Sequence, residues 1–360
     1  MTDLDQRIIS ALREHAAGEI DTHRLLGASR ALGRRRRRHH RVAAGTALAL
    51  VGVLGFAGVA TTDVGGLTGR LPWAAATPTV AAPVPPRADG VPGAAQRPDL
   101  VGTDTQVLHL GVDTRRARYL SWAVYGANQV ESIRLSVGGG PPVLVEVSRS
   151  AQEVDELLLD GRPIEQAVVP VTFDGVVRQF RNGAGGLVKA WQPVPGLYAR
   201  ASMLGDTDRG MLAKAVNALR WGEARRCDAP LRLSALPAGA RVVSCSVDAH
   251  AFPGGLNVEL TLYREPSATM WVRLQYGAQI AADRDESNRT VGGRPAYLYP
   301  GGTTLELLGI SRAHLTADFG WPMPGIDPSK DHPGFTEADA TSVLAGAQVA
   351  KDLTDPETWE

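Results

Sequence analysis

The chain has 360 residues and a formal net charge of zero. This length is sufficient for two or three domains and for a hydrophobic core that needs no metal. The zero hides an asymmetry, because residues 1–41 hold ten Arg against five Asp or Glu, and residues 42–360 carry the opposite excess. The balance excludes a uniformly basic or acidic protein and indicates that the two parts face different surroundings.

Residues 1–41 form a basic tail with apolar side chains at helical spacing. Leu4, Ile8 and Leu12 lie on one side of a first helix, and residues 21–33 repeat the pattern over a shorter stretch. Such stripes need a partner protein or a membrane surface to be stabilised, so a helical tail with a cytoplasmic partner is expected. The alternative is marginal structure with no partner.

Residues 42–60, VAAGTALALVGVLGFAGVA, contain no charged side chain. As a helix this segment would rise about 28 Å, close to the hydrocarbon thickness of about 30 Å. We therefore predict one transmembrane helix that remains uncleaved as a signal anchor. A cleaved secretory signal is the alternative, since the small residues at 58–60 and 74–76 suit cleavage.

An arginine cluster directly precedes this apolar segment and predicts its orientation. The cluster consists of Arg34, Arg35, Arg36, Arg37, Arg38 and Arg41. Basic residues beside a span stay in the cytoplasm. The protein is thus expected in the cell membrane, single-pass, with its N-terminus cytoplasmic and its C-terminus extracellular. Contacts with nucleic acid or anionic headgroups are alternative roles, but no specific nucleic-acid binding is predicted.

Residues 61–103 are rich in Pro, Ala and Gly. They hold too few large apolar side chains to bury a core, so a disordered linker is predicted. After this linker come Cys227 and Cys245, the two cysteines of the chain. Outside the cytoplasm thiols oxidise and stay oxidised, so a disulfide is expected. Two unpaired buried thiols are the alternative.

From residue 104 onward the sequence changes to short apolar runs separated by Gly and Pro. In the first half, the predicted strands are 117–124, 132–137, 143–148, 168–173, 186–192 and 197–203. In the second half, they are 241–247, 256–263, 269–276, 294–299, 305–309 and 314–319.

One helix is predicted at the end of each half. The first is capped by Asp206 or Thr207 and runs to Trp221. The second begins with a capping box of Thr336 and Asp339, and its apolar face is expected to comprise Val343, Leu344, Ala347 and Val349.

The repeated order of strands followed by a helix predicts an extracytoplasmic, β-rich region of fold class α+β. We expect two related α+β modules, at 104–225 and 226–360. Chance similarity of two weakly alike halves is the alternative.

The sequence offers no catalytic, cofactor or metal constellation, and no enzymatic activity is predicted. The histidines after the linker, His109, His250, His314 and His332, are too far apart in sequence to suggest a zinc site. An acidic loop with Asp283, Asp285 and Glu286 could hold a cation, although a solvated loop is the simpler reading.

Two further local patterns have simple interpretations. Residues 309–313 resemble a nucleophile elbow but end in Ala, and 138–142 lack the Lys and Ser or Thr of a phosphate loop. Aromatic side chains on or beside predicted strands could form a binding face, or could pack in the core. They are Trp122, Tyr125, Trp191, Tyr198, Trp271, Tyr276, Tyr297, Tyr299 and Trp321.

The order of parts resembles a known family. The tail MTDLDQRIISALREHAAGEIDTHRLLGASRALGRRRRRHHR, the apolar segment, the Pro/Ala linker and the β-rich exterior are similar to bacterial membrane regulators paired with sigma factors. The resemblance implies a cytoplasmic tail that holds a sigma factor. Many such regulators carry a zinc motif with two cysteines, but this tail has no cysteine, so no site residue is carried over.

We therefore expect a membrane-anchored envelope protein whose exterior senses or binds an envelope ligand or protein and whose tail signals inside. The alternative is a purely extracytoplasmic binding or scaffold module in which the tail serves only membrane insertion. An envelope enzyme is a third hypothesis, which no motif supports.

Overall fold

A computed structural model describes residues 82–154, 158–159, 162–163, 172–180, 185–205, 208–280, 286–320 and 334–359. These residues all belong to one compact unit, Ala76–Glu360. The basic tail with its arginine cluster, the apolar segment 42–60 and residues 61–81 of the predicted linker lie outside the described residues. Residues 82–103 belong to the folded unit, with Ala94 and Val101 fully buried and a 3-10 turn at Pro98–Leu100, so the prediction of a disordered linker is wrong for this part. Within the described part of the chain, no helix has the length and hydrophobicity needed to cross a bilayer.

The described residues form short and long strands, two α-helices and three 3-10 turns. The strands are β1 (Val107–Leu108), β2 (Gly111–Val112), β3 (Arg118–Tyr125), β4 (Val130–Ser136), β5 (Val143–Ser148), β6 (Leu158–Leu159), β7 (Arg162–Pro163), β8 (Asp174–Phe180), β9 (Gly186–Trp191), β10 (Tyr198–Leu204), β11 (Leu219–Arg220), β12 (Arg225–Arg226), β13 (Leu231–Leu233), β14 (Ala240–Asp248), β15 (Gly255–Arg264), β16 (Ala268–Gly277), β17 (Arg289–Val291), β18 (Arg294–Leu298), β19 (Thr304–Leu307), β20 (Ala313–Asp318) and β21 (Ala347–Val349). The helices are α1 (Arg209–Ala218) and α2 (Glu337–Ala345), and the 3-10 turns are Pro98–Leu100, Gln152–Val154 and Pro356–Thr358.

Thirteen of the strands form one antiparallel sheet. Their order across the sheet is β17-β18-β19-β20-β16-β15-β14-β3-β4-β5-β10-β9-β8. Residues 118–204, called here the first half, supply one side of this sheet, and residues 240–318, the second half, supply the other. They meet where β3 pairs antiparallel with β14, in a register that places Trp122 opposite Val247 and Tyr125 opposite Ser244.

The same order of elements occurs twice along the chain. In the first half, β3, β4 and β5 form a meander, β10 returns beside β5, and β9 and β8 follow outward. In the second half, β14, β15, β16, β20, β19 and β18 are arranged in the same way. Each set ends in a helix followed by a short strand, which pairs back to a short strand that precedes the meander, β11 with β2 and β21 with β13. Because the equivalent strands β3 and β14 pair antiparallel, the two halves have the arrangement that a two-fold rotation generates.

The predicted fold class, α+β with a transmembrane helix, is wrong for the described part of the chain. That part is 43% strand and only 12% helix, and its two α-helices have ten and nine residues. The two halves also share a sheet, since hydrogen bonding between β3 and β14 leaves neither strand as an exposed edge. The division of the chain into domains at 103 and 225 stays a prediction.

Most predicted strands lie within one or two residues of observed ones, but two elements differ. The strand predicted at 168–173 lies mostly outside the described residues, and the observed edge strand is β8. The first helix begins after Asp208, whose side chain accepts hydrogen bonds from the N–H groups of Gly210 and Met211. The predicted caps at 206 and 207 lie outside the described residues. The helix stops at Ala218, because residues 219 and 220 pair with β2.

The sheet has one apolar face and one polar face in its second half. Along β15 the buried residues are Leu256, Val258, Leu260 and Leu262. The alternate residues, which are exposed or half-buried, are Asn257, Glu259, Thr261 and Tyr263. Successive strand residues point to opposite faces. The apolar face therefore packs into the core, where α2 contacts β17, β19 and β20, and the polar face is turned outward.

A disulfide joins Cys227 to Cys245, with the Cα atoms 6.2 Å apart and both side chains fully buried. It links the segment after β12 to the central strand β14. Trp122 on β3 is also buried, and its indole N–H donates a hydrogen bond to the Cys227 carbonyl oxygen at 3.0 Å. The predicted disulfide is confirmed, and it lies where the two halves of the sheet meet.

Removing this disulfide should lower stability markedly. The C227A/C245A variant is expected to lose about 3 kcal/mol, since a cross-link of this loop length mainly restricts the unfolded chain. Urea denaturation with and without dithiothreitol measures the effect. Reductant should shift the wild-type midpoint down to that of the variant and leave the variant unchanged. The expectation would be contradicted if dithiothreitol left the urea midpoint of the wild type unchanged.

Helix α2 begins with the predicted capping box. The Thr336 hydroxyl accepts a hydrogen bond from the Asp339 N–H, and the Asp339 carboxylate accepts one from the Thr336 N–H at 2.9 Å. The helix ends at Ala345 rather than continuing through Ala347 and Val349. These two residues lie in β21, which pairs with β13. Pairing with a distant strand therefore overrides the helical spacing there.

Asp339 also holds Arg264 of β15, at 3.2 Å between Nη2 and Oδ2. Partial burial acts to raise the pKa of Asp339, but hydrogen bonds from Thr336 and Arg264 outweigh it and keep the pKa below its usual range. The D339A substitution removes the helix cap and should lower the free energy of unfolding by about 1–2 kcal/mol. Because the folded-state pKa is lowered, this contribution is present above the ordinary carboxyl pKa and is lost as pH falls through the folded value.

Chemical denaturation at pH 7 and at about pH 3 tests this dependence. The matched control is E337A in the same helical turn. Among the described residues Glu337 pairs with Arg289, and both side chains are about 40% exposed, so the loss of this pair should lower the free energy of unfolding by less than about 1 kcal/mol. Equal losses in D339A and E337A would show that the cap contributes little.

Candidate binding face

The polar face of the second half of the sheet carries a row of paired charges next to an aromatic ring. We define this polar face by Glu259, Trp271, Arg273, His314 and Asp318. Glu259 and Arg273 are directly opposed on β15 and β16, with 2.6 Å between Arg273 Nε and Glu259 Oε2. Arg273 Nη1 lies 3.8 Å from Asp318 on β20, and its guanidinium lies 5.5 Å from the centre of the Trp271 ring. These contacts hold a half-buried arginine beside the Trp271 ring.

A second cluster on the same face surrounds Glu306 of β19. Its side chain is only 4% exposed, and it accepts a hydrogen bond from the Tyr299 hydroxyl at 2.8 Å. Nδ1 of His314 contacts the other carboxylate oxygen. The His314 side chain is 45% exposed, so the cluster presents an oriented imidazole to solvent.

At one end of the polar face lies a cavity of about 620 Å³. It is formed by the end of β14, the start of β15, the end of β16 and the loops that follow β14 and β16. Its polar lining comprises Asp248, His250, Asn257, Gln275 and Gln279. The cavity and the polar face are continuous, because Gln275 is directly opposite His314 on the neighbouring strand.

The predicted aromatic set divides between core and surface. Trp122 and Tyr276 are buried. Trp191 packs edge-on against Trp221, and Tyr198 packs edge-on against Phe173. The remaining described members are Tyr125, Trp271, Tyr297 and Tyr299. Tyr125 is 45% exposed, and Tyr297 and Tyr299 pack edge-to-face with ring centres 5.3 Å apart. Trp321 lies outside the described residues.

The other candidate motifs have no shared site in the structure. The segment 309–313 forms the turn between β19 and β20, with Arg312 at φ 55°, and 138–142 connects β4 to β5. Asp283, Asp285 and His332 lie outside the described residues. Within the described residues, no group of three or more His, Cys, Asp or Glu side chains could hold a metal ion.

The sequence did not predict a buried pair formed by one histidine and one glutamate. His109 and Glu131 are 2% and 0% exposed, and His109 Nδ1 lies 2.6 Å from Glu131 Oε1. Glu131 also accepts hydrogen bonds from the N–H groups of Gly102 and His109. It thereby attaches the segments on both sides of β1 to strand β4. No local signal indicates this pairing, because the contact joins residues 22 positions apart.

Comparison of the chain with protein-family models, curated proteins and solved structures gives no match.

Proposed function

We propose that the chain is a membrane-anchored envelope protein whose extracytoplasmic β-domain binds a ligand or a partner protein on its polar face. The observation that carries the proposal is the fully buried disulfide between Cys227 and Cys245. Structural disulfides persist in oxidising surroundings and are rare in the cytoplasm of most bacteria. This supports an extracytoplasmic location for the domain. The apolar segment 42–60, preceded by the arginine cluster, would anchor the chain to the membrane.

The binding role is supported by the composition of the polar face. Aromatic and arginine side chains such as Trp271 and Arg273 are the residue types that most often dominate binding energy. Here Arg273 is held in place by Glu259 and Asp318, so little of its side-chain freedom remains to be lost on binding. The neighbouring cavity adds a concave site, which is where small ligands usually bind.

A topology experiment tests the location. A phosphatase that is active only outside the cytoplasm, fused after Glu360 of the full-length chain, should be active at the cell surface. In the same cells, Cys227 and Cys245 should resist alkylation until a reductant is added. An inactive fusion together with freely alkylated cysteines would overturn the proposal.

The tail is proposed to signal to a cytoplasmic regulator such as a sigma factor. Its apolar stripe through Leu4, Ile8 and Leu12 motivates this step. Full-length protein purified from cells after cross-linking should recover the regulator, and the L4S/I8S/L12S variant should lose it. If the variant recovers the same proteins as the wild type, the tail serves only membrane insertion, and the protein is a purely extracytoplasmic binding or scaffold module.

A further inference from the structure

The cavity at the end of β14, the start of β15 and the end of β16 is lined by a row of aligned polar side chains. Asp248 is directly opposite Asn257, and Asn257 is directly opposite Gln275. Directly opposed residues on neighbouring strands have their Cβ atoms about 4.5–5.5 Å apart and point to the same face. Three polar groups are therefore presented side by side along the floor of the cavity.

These groups are available to a ligand. Neither the Asn257 nor the Gln275 carboxamide has a hydrogen-bond partner among the described residues, and both side chains are exposed. The Asp248 carboxylate accepts one hydrogen bond, from the N–H of His250 at 2.9 Å, which orients it at the edge of the cavity. Each carboxamide offers two donor hydrogens and an acceptor oxygen, and the carboxylate offers acceptors alone.

The lining matches hydroxyl groups better than ions. A hydroxyl donates one hydrogen bond and accepts others, so adjacent carboxamides can satisfy neighbouring hydroxyls of one ligand in both directions. The row contains one carboxylate and no Lys or Arg, which disfavours an anionic ligand. Ala251 and Ile280 add apolar contact at the rim, which suits the C–H faces of a sugar ring.

A peptide fits this position less well. Extended peptides usually bind by adding a strand to a free sheet edge, where their main chain completes the hydrogen-bond ladder. The row lies on the face of the sheet instead, and the three strands that supply it are all internal to the thirteen-stranded order. A peptide would thus have to bind through its side chains alone.

We propose that this cavity binds a neutral saccharide through Asp248, Asn257 and Gln275. Its volume of about 620 Å³ falls within the range of small-ligand sites, about 300–1,000 Å³. The inference deepens the proposed function, because it identifies the ligand class of the extracytoplasmic domain.

Calorimetric titration of the full-length protein in a detergent without sugar headgroups tests the inference. The probes are maltotriose, cellotriose and the trimer of N-acetylglucosamine, with the uncharged peptide acetyl-trialanine amide for comparison. At least one trisaccharide should bind saturably, with a dissociation constant of about 1 mM or lower. The N257A/Q275A variant should bind it at least about tenfold more weakly, because two hydrogen-bonding groups are lost.

The matched control is N217A/Q348A, which removes one Asn and one Gln that are equally exposed on α1 and β21. It should bind like the wild type, and both variants should keep the wild-type melting temperature, since none of the four side chains is buried. Three outcomes would overturn the inference: no trisaccharide binding up to about 10 mM, unchanged binding by N257A/Q275A, or binding of the peptide alone. None of them would alter the result of the phosphatase fusion, so the extracytoplasmic location is tested independently of the ligand.

Discussion

Replacing Glu131 by Ala is expected to lower the free energy of unfolding by about 3–5 kcal/mol, because three buried donors would lose their acceptor. The carboxylate is fully buried and accepts three hydrogen bonds, from the Gly102 N–H at 2.9 Å, the His109 N–H at 2.6 Å and His109 Nδ1 at 2.6 Å. The variant leaves these donors without an acceptor in a site that water does not reach. Each unsatisfied buried donor costs about 1–3 kcal/mol.

The backbone at this site cannot readily adjust to the loss. Gly102 has φ 70°, and a Cβ there would lie about 2.5 Å from backbone atoms of Gln129. The segment before β1 is therefore held closely against the turn between β3 and β4. It cannot move inward to fill the space that the Glu131 side chain would leave.

Urea denaturation of E131A, E131Q and a surface control measures the effect. E131Q keeps the size of the side chain but turns one acceptor into a donor, so an intermediate loss of about 1–3 kcal/mol is expected. The control is E153A, an exposed glutamate in the turn at Gln152–Val154, which should change stability by less than about 0.5 kcal/mol. A loss below 1 kcal/mol in E131A would mean that the His109 pair contributes little to the fold.

The second large effect is expected at Arg200, which is fully buried beside Glu146 on the neighbouring strand. Arg200 Nε lies 3.1 Å from Glu146 Oε2, and Nη2 also contacts that oxygen. R200A leaves a buried carboxylate without its partner, and a loss of about 3–5 kcal/mol is expected.

Removing both charges should have the opposite outcome. Arg200 Nη1 is buried without a hydrogen-bond partner among the described residues, so the pair does not recover the full cost of taking two ions out of water. The R200M/E146L variant should therefore be as stable as the wild type or more stable, as measured by thermal and urea denaturation. If it loses as much as R200A, the ion pair is a net source of stability and this reasoning is wrong.

The locations of most strands could be predicted from sequence because alternation is a local signal. The run 143–148 and β5 have identical bounds, and the second-half strands are shifted by one or two residues. The capping box of Thr336 and Asp339 was equally visible, because its two members are three residues apart. The disulfide followed from two cysteines placed after an apolar segment. All of these inferences use residues that are neighbours in sequence or the only members of their type.

The candidate site could not be predicted in the same way. Glu259 and Arg273 become neighbours because β15 and β16 form a hairpin in one particular register, and Asp318 joins them only after β20 pairs with β16. The histidines are far apart in sequence, and their spacing does not indicate which side chains they contact. Yet His314 contacts Glu306, and His109 contacts Glu131, across neighbouring elements.

By itself, the sequence determined where the chain alternates as strands, where α2 begins and which cysteines can pair, since each depends on local spacing or on composition. Only the tertiary structure decided that the two halves share one sheet, that Ala347 and Val349 leave the helix to pair with β13, and that one sheet face carries the polar row. The physical reason is that strand pairing is made by backbone hydrogen bonds common to all residues. The choice of partner strand therefore depends on how the whole chain buries its apolar side chains.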